Sequence, residues 1–461
     1  MADIAPQYVA PVTSHEAGPR GLPLLGSALD FGRDQLGFLE ALSRTYGDVV
    51  PFRIGGWPCL LIGDMAAIEN ILVKDHQNFI KNRIIWRHVR ALFGQGLLTS
   101  EGEFWHRQRR LAAPPFAARQ IADYGPDMVR ITRRIASRWT DDEIVDFHPA
   151  MMELSLRIAA KTLFDTEIAS DIETMEFATD DLVAEMAARF RRPFLIPDWV
   201  PLPGHLRYRR AIREVEDVVA RIIFERSLDA DLENRRDFLS RMMLARGDDG
   251  HPMSETQLRD EALTMLLAGH ETTALALSWT IELLGRNPVS WQLLVNEVDD
   301  VLENRDVTTE DVERLEYAEA VVKEAMRLYP PAWAIGREAK QTFTIRGKRW
   351  PAGTTIFISQ WVLHRDARHF EDPLAFHPER WIDGTLEKRL PRFAYMPFGG
   401  GPRICIGNRF AMIEAVMALA TVAQMLTTTP VEGRAPTPFP SITLRPQGGV
   451  WARVATRPKR H

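Results

Sequence analysis

Cysteine is nearly missing from this 461-residue chain, which holds only Cys59 and Cys405. Two such isolated thiols build no disulfide framework, and a reducing cytoplasm is the matching compartment. No stretch approaches the roughly 20 consecutive apolar residues of a membrane-spanning helix. The N-terminal residues carry no apolar signal-peptide core either. The chain is therefore read as soluble and cytoplasmic. Charge of one sign is not in large excess: the net charge of −5 names no partner and points away from nucleic acid. Internal repeats are missing too. What remains, 45% hydrophobic and 26% charged, is the composition of an ordinary globular protein able to bury a large core. Length alone would allow two or three domains.

The two cysteines sit in unlike surroundings. Cys59 opens the apolar run Cys59-Leu60-Leu61-Ile62; Pro58–Ile62 and Val49–Ile54 flank Gly55-Gly56 and read as a hairpin. Cys405 lies in Phe398-Gly399-Gly400-Gly401-Pro402-Arg403-Ile404-Cys405-Ile406-Gly407, which cannot be helical and precedes an apolar helix at about Asn408–Met425. Three glycines free the backbone to turn sharply and bring its amides close to a neighbour. Successive amides form an anion-binding concavity. The start of the next helix adds positive potential, which lowers a thiol's pKa toward the thiolate. Such a thiolate is a nucleophile or a metal ligand. A buried structural cysteine, the alternative, leaves the electropositive loop without a reason.

Ser254, with Gln257 three residues on, caps a helix reaching about Asn287, long enough at about 50 Å to cross the molecule. From Ala262 to Leu284 it is apolar on nearly all sides, so it is buried. Its middle reads Ala268-Gly269-His270-Glu271-Thr272-Thr273. A glycine there costs about 1 kcal/mol against alanine, and a buried Glu271 costs more unless satisfied. Two penalties side by side point to a site; a structural kink is the alternative. Helical spacing sets Met265, Ala268, Gly269 and Thr272 on one face. Trp105 and Arg109, four apart, also share a face, as does the acid–base pair Glu324 and Arg327, and either pair alone reads as a surface contact. The apolar, proline-rich break from Arg191 to Gly204, with Phe194, Leu195, Ile196, Trp199 and Val200, reads as a mobile lid or a packed connector. Phe343–Ile345 and Thr354–Ile358 read as strands, and Ile442–Leu444 with Val450–Val454 as a closing hairpin.

The cysteine loop, as Phe-x-x-Gly-x-Arg-x-Cys-x-Gly, resembles the haem-binding loop of the cytochrome P-450 family. Ala268–Thr273 is similar to the family's oxygen-activation motif, and Trp105-x-x-x-Arg109 and Glu324-x-x-Arg327 stand in the family's order. The resemblance covers essentially the whole chain. It implies a mainly α (α+β) fold, a helical bundle around haem with small peripheral sheets, in one domain over residues 19–461 behind a flexible segment 1–18. The implied cofactor is haem b, with Cys405 as the axial iron ligand; that a thiolate ligand favours O–O cleavage is general to haem-thiolate proteins. Trp105, Arg109, Arg337 and Arg403 are implied partners of the haem propionates, and Phe398, Gly407 and Ala268 further cofactor contacts. Arg380 would close the Glu324–Arg327 pair into a structural trio.

The implied reaction inserts one oxygen atom of O2 into an apolar organic substrate and reduces the other to water. Thr272 is implied to hydrogen-bond the dioxygen being activated, and Glu271 to connect it to solvent protons. Met265, Leu267, Ala268, Ala332, Trp333, Ile335 and Ile442 are the implied substrate-facing residues. The stretch Phe79–Phe93 either roofs the pocket or is a core helix. Only 56 residues follow Cys405, too few for a flavin reductase, so electrons are expected from a separate ferredoxin and ferredoxin reductase. Arg107, Arg110, Arg119, Lys388, Arg389, Arg392 and Arg409 form a basic docking surface, or else scattered solvated charge. A monomer is expected. A peroxide-driven hydroxylase is the rival within the family, although such relatives lack the acid–threonine pair. A non-catalytic haem-based sensor is the rival outside it, and turnover with any electron donor separates the two.

Overall fold

The helix capped by Ser254 spans Glu255–Arg286, 32 residues, in a computed structural model of the chain. The structure describes residues 18–458 apart from 169, 193–195, 197–198 and 248–249. The expected flexible N-terminal segment, but for residue 18, and Phe194 and Leu195 of the proline-rich break lie outside the described residues. The Ser254 hydroxyl accepts the Gln257 amide at 3.2 Å. The helix is buried along most of its length because its hydroxyls turn back onto its own carbonyls: Thr264 to Asp260 O, Ser278 to Ala274 O and Thr280 to Ala276 O, each at 2.7 Å. Helices Phe147–Phe164, Pro203–Ser227, Glu316–Leu328 and Asn408–Met425 pack around it. Fully buried Trp279 stacks on Tyr329 with centroids 4.0 Å apart, and its Nε1 donates to Leu444 O at 3.1 Å. Each large apolar side chain buried this way contributes about 1.5–3 kcal/mol.

The sheets are peripheral. The largest orders its strands Val49–Ile54, Trp57–Ile62, Thr355–Ile358, Ile335–Ala339 and Phe79–Ile80. The expected first hairpin pairs Val49 with Ile62. Cys59 is buried within it, and burial pushes its thiol up to about 12. The expected closing hairpin does not form. Leu444–Gln447 pairs with Thr437–Pro440, whereas Trp451–Thr456 pairs with Leu426–Pro430 and Ile144–Asp146. Gly448 and Gly449, at φ of 97° and 80°, turn the chain between two sheets instead of folding it back. A side chain at Gly449 would strike the Asp146 carboxylate at 2.3 Å, and that carboxylate takes the Val450 amide at 2.8 Å.

The Glu324–Arg327 pair is no surface contact. Both side chains are fully buried, 2.8 Å apart, and Arg380 joins Glu324 at 3.1 Å. Arg327 also donates to the carbonyls of His364, Pro373 and Ala375.

Candidate active site

The cysteine loop is shaped by close approach. Gly401 has φ of 69°, and a Cβ on it would lie 1.9 Å from Leu72 O, so only glycine fits there. The loop closes with the Cys405 amide donating to Phe398 O at 3.0 Å. The helix Asn408–Met425 begins three residues later, where it was expected. Cys405 is accessible at its surface, unlike Cys59. Opposed effects act on the pKa of its thiol. Burial raises it, and the Gly407 amide and the Arg109 guanidinium only oppose that rise. The loop therefore supplies the groups that favour a thiolate, but in the protein alone desolvation wins. Arg109 reaches the loop by donating to Ile404 O at 2.7 Å.

Beside the loop is a crowd of cations. Arg403 lies 4.0 Å over the Trp105 ring and pairs with Glu101. Its Nη1 is buried with no partner. Arg337, nine-tenths buried on strand Ile335–Ala339, has its pKa lowered to about 10 by burial and by Arg403. Lys81, also buried, is held well below its ordinary pKa by burial and then by Arg337 and Arg403. Glu101 is the carboxylate they share; it also takes the Lys81 amide at 2.8 Å. A folded core does not crowd like charges without a counter-charge to receive.

The long helix is buried over most of its length but opens at Ala268, Gly269 and Thr272. These three lie on one face, as their spacing implied, so the opening is a face and not a fraying. A Cβ on Gly269 would meet only Leu163 Cδ1, at 3.7 Å. No neighbouring side chain demands glycine, and its smallness keeps that face open. The Thr272 hydroxyl donates to Ala268 O at 2.9 Å. Glu271 points away to a network. Its Oε1 accepts from Thr443 Oγ1 at 2.9 Å and from Arg445 Nε at 2.9 Å, with Arg445 Nη2 at 2.8 Å. Arg445 Nη1 donates onward to Asp180, whose side chain is 71% exposed. Burial alone would raise the Glu271 pKa, but Arg445, with the help of His270 and Thr443, holds it below the ordinary 4.5. Neighbouring His148 is pushed down to about 4 by burial and by Arg445.

The family model described as Cytochrome P450 matches residues 17–452. The chain belongs to the cytochrome P450 family. Cyclooctatin synthase of Streptomyces melanosporofaciens is 36% identical over 434 residues, covering 93% of each chain. Pentalenene oxygenase of Streptomyces avermitilis is 32% identical over 88% of this chain and 89% of that one. A solved structure titled "Retinoic acid bound cyanobacterial CYP120A1" superposes with a TM-score of 0.84 at 25% identity, over 96% of this chain and 99% of that chain. This P450 is thus a haem-thiolate monooxygenase, mainly helical with small sheets, and binds haem b through a cysteine thiolate. It uses O2 and electrons from redox partner proteins. Among the described residues no helix is long and apolar enough to cross a membrane.

The residues of this P450 fit that cofactor. Haem b carries two carboxylates, and the Lys81–Arg337–Arg403 cluster, with the orphaned Arg403 Nη1, is short of anions. Lys81 escaped sequence reasoning because nothing in Ile80-Lys81-Asn82 marks it off from a surface lysine. Trp105 is buried with Arg403 over its ring, and Arg109 places one of its donors on the cysteine loop. Of the residues implied to face substrate, Trp333 and Ile442 line an apolar cavity of about 190 Å³ between the first hairpin, strand Ile335–Ala339 and helix Ile172–Arg191. Ile335 sits against Gly399 of the cysteine loop, and Ala334 and Gly336 line the cavity in its place. Met265 and Leu267 are buried in the core, while Ala268 opens at the helix face. Trp86 and Val89, on helix Arg83–Phe93, also line the cavity, so that helix both roofs it and joins the core.

Proposed function

We propose that this monooxygenase holds its haem through Cys405 and oxidises a compact apolar substrate admitted through the Trp333–Ile442 cavity. The observation that carries this reading is the placement of Cys405. It is accessible, in a glycine loop with an amide and an arginine beside its sulfur, whereas Cys59 is sealed in a sheet at a thiol pKa of about 12. Haem b, when bound, supplies the oxygen reduction and transfer chemistry. Lys81, Arg337 and Arg403 would hold its propionates, with Trp105 backing Arg403. Arg109 would brace the cysteine loop and oppose the desolvation of its sulfur.

Thr272 presents a hydroxyl on the open helix face that can leave Ala268 O to donate to a ligand there. Glu271 is held ionised at neutral pH by Arg445, so its Oε1 accepts a proton only when Arg445 loosens. Asp180, exposed at the far side of Arg445, connects this point to solvent. Together they move protons from solvent toward Thr272, which is general acid work. The cavity wall of Phe31, Trp57, Trp86, Phe190 and Phe357 suits a hydrocarbon skeleton, in keeping with relatives named for cyclooctatin and pentalenene. A small acidic ferredoxin would dock on the basic proximal face, where Arg110, Arg119, Lys388, Arg389, Arg392 and Arg409 are exposed and Arg107 is half-buried. Monomeric, cytoplasmic action as a single domain completes the reading. Cys405→Ala should abolish the far-red-shifted ferrous–CO Soret band while Cys59→Ala keeps it. A Cys405→Ala protein that retains the band would overturn the assignment.

A further inference from the structure

The cavity that serves this reading contains one amide with nothing to bind. Its other polar linings are consumed within the protein. Asn82 Nδ2 donates to Thr355 Oγ1 at 2.7 Å, Ser441 Oγ to Thr443 O at 3.1 Å, and Arg189 and Arg192 both to Glu185 at 3.1 and 3.0 Å. Gln35 differs. It is 3% exposed, its Oε1 is buried without a partner, and its side chain makes no hydrogen bond among the described residues. It stands at the first position of helix Gln35–Tyr46, but Asp34 already caps that helix by accepting the Gly37 amide at 2.9 Å. The amide is thus not used to satisfy the backbone. Its neighbours in the cavity wall, Phe31, Cys59 and Phe357, are apolar core. A buried amide lacking a partner destabilises a fold that leucine or methionine would fill without loss.

The lining residues come from several parts of the chain. Asn82 and Gly336 are the chain neighbours of Lys81 and Arg337, so the cavity adjoins the cation cluster. Gln35, Ile54 and Trp57 belong to the first hairpin and its adjoining helix. We propose that Gln35 is a specificity-determining residue whose amide hydrogen-bonds a single hydroxyl or carbonyl on an otherwise apolar substrate. The substrate class is then a hydrocarbon skeleton already bearing one oxygen, held by that oxygen at Gln35.

The proposal rests on the monooxygenase reading, and its test is separable from that reading. The haem-loaded full chain is titrated with adamantane, 1-adamantanol and 2-adamantanone, following the Soret shift, in wild type, Gln35→Met and Gln35→Leu. The ratio of the hydrocarbon's Kd to that of each oxygenated cage is the readout. The cost of dehydrating the oxygen is common to all three proteins and cancels. One neutral hydrogen bond predicts that this ratio falls about three- to tenfold in both variants. The ferrous–CO band should be unchanged in them, since Gln35 touches no group of the haem cluster. A ratio within about twofold of wild type, or no binding of either oxygenated cage by wild type, would overturn the assignment. Loss of the band in one variant would leave the other to decide, and loss in both would show that Gln35 serves the fold.

Discussion

Replacing Arg327 by methionine should cost this protein most of its stability and, with it, its haem. Arg327 is fully buried and spends its donors on Glu324 and on three carbonyls, those of His364, Pro373 and Ala375. Breaking a buried pair from one side costs about 3–5 kcal/mol, because a charge is left behind. Glu324 keeps Arg380, the Trp381 indole and the His377 amide, which pulls its share to the low end. The stranded carbonyls pull the other way, at about 1–3 kcal/mol for each that finds no water. A loss of at least about 4 kcal/mol stands against a whole stability of about 5–15 kcal/mol. The damage should reach the cysteine loop. The His364 imidazole takes the Met396 amide at 2.9 Å, and Met396 O takes the Gly399 amide at 2.9 Å. Arg327→Lys should not rescue, since an ammonium cannot reproduce a planar fork with five donors. Urea unfolding and the ferrous–CO spectrum are the assays. An Arg327→Met protein within about 1 kcal/mol of wild type, the range of a surface pair, with its haem band intact, would refute this reasoning.

Three other outcomes are expected. Thr272→Ala should keep haem and substrate binding but divert reducing equivalents into peroxide; product formed per electron donor consumed, unchanged from wild type, would remove Thr272 from the proton path. Arg445→Leu should raise the pKa of Glu271, because burial is then opposed only by His270 and Thr443. In wild type the ionised carboxylate stabilises the fold above the ordinary value of 4.5 and is lost only as pH falls below it. In Arg445→Leu that acid loss should be absent, which urea midpoints across pH 3–7 measure. Ferredoxin-driven reduction should slow as salt shortens the screening length from about 10 Å at 0.1 M to about 3 Å at 1 M, and Arg110→Glu and Arg409→Glu should slow it further. Dithionite reduction should not change in those variants, and a flat salt profile would move the electron port elsewhere.

What was legible in the chain was what is decided locally. Ser254 ends its helix with its own hydroxyl, and the start at Asn408 follows from a glycine loop, so both boundaries were readable. The cysteine motif was readable because tight backbone approach excludes every residue but glycine at position 401. Partners were not. Arg445 lies 174 residues from Glu271, and no local pattern says which arginine folds onto which acid. Lys81 has the same difficulty, being a lysine beside a short strand until Arg337 and Arg403 arrive from distant parts of the chain. The closing hairpin failed for another reason. Two apolar runs around a glycine pair satisfy the hairpin pattern, but Asp146 captures the turn and sends its second strand to a different sheet. At Cys405 the amides and glycines that favour a thiolate were visible in sequence, whereas the packing that opposes them was not.

The crowded cations have a consequence for assembly. Lys81 follows one edge strand, Arg337 belongs to the strand beside it, and Arg403 to the cysteine loop. Three segments far apart in the chain therefore meet at a point where they repel one another. In the newly made polypeptide this corner is a seam that electrostatics pushes open, with Glu101 as the clasp they share. On the proposed placement of the propionates, a dianion entering there would close the seam as a rivet does. Haem seated there as proposed would complete this corner of the fold as well as do the chemistry, and the state of the corner would distinguish a loaded chain from an empty one.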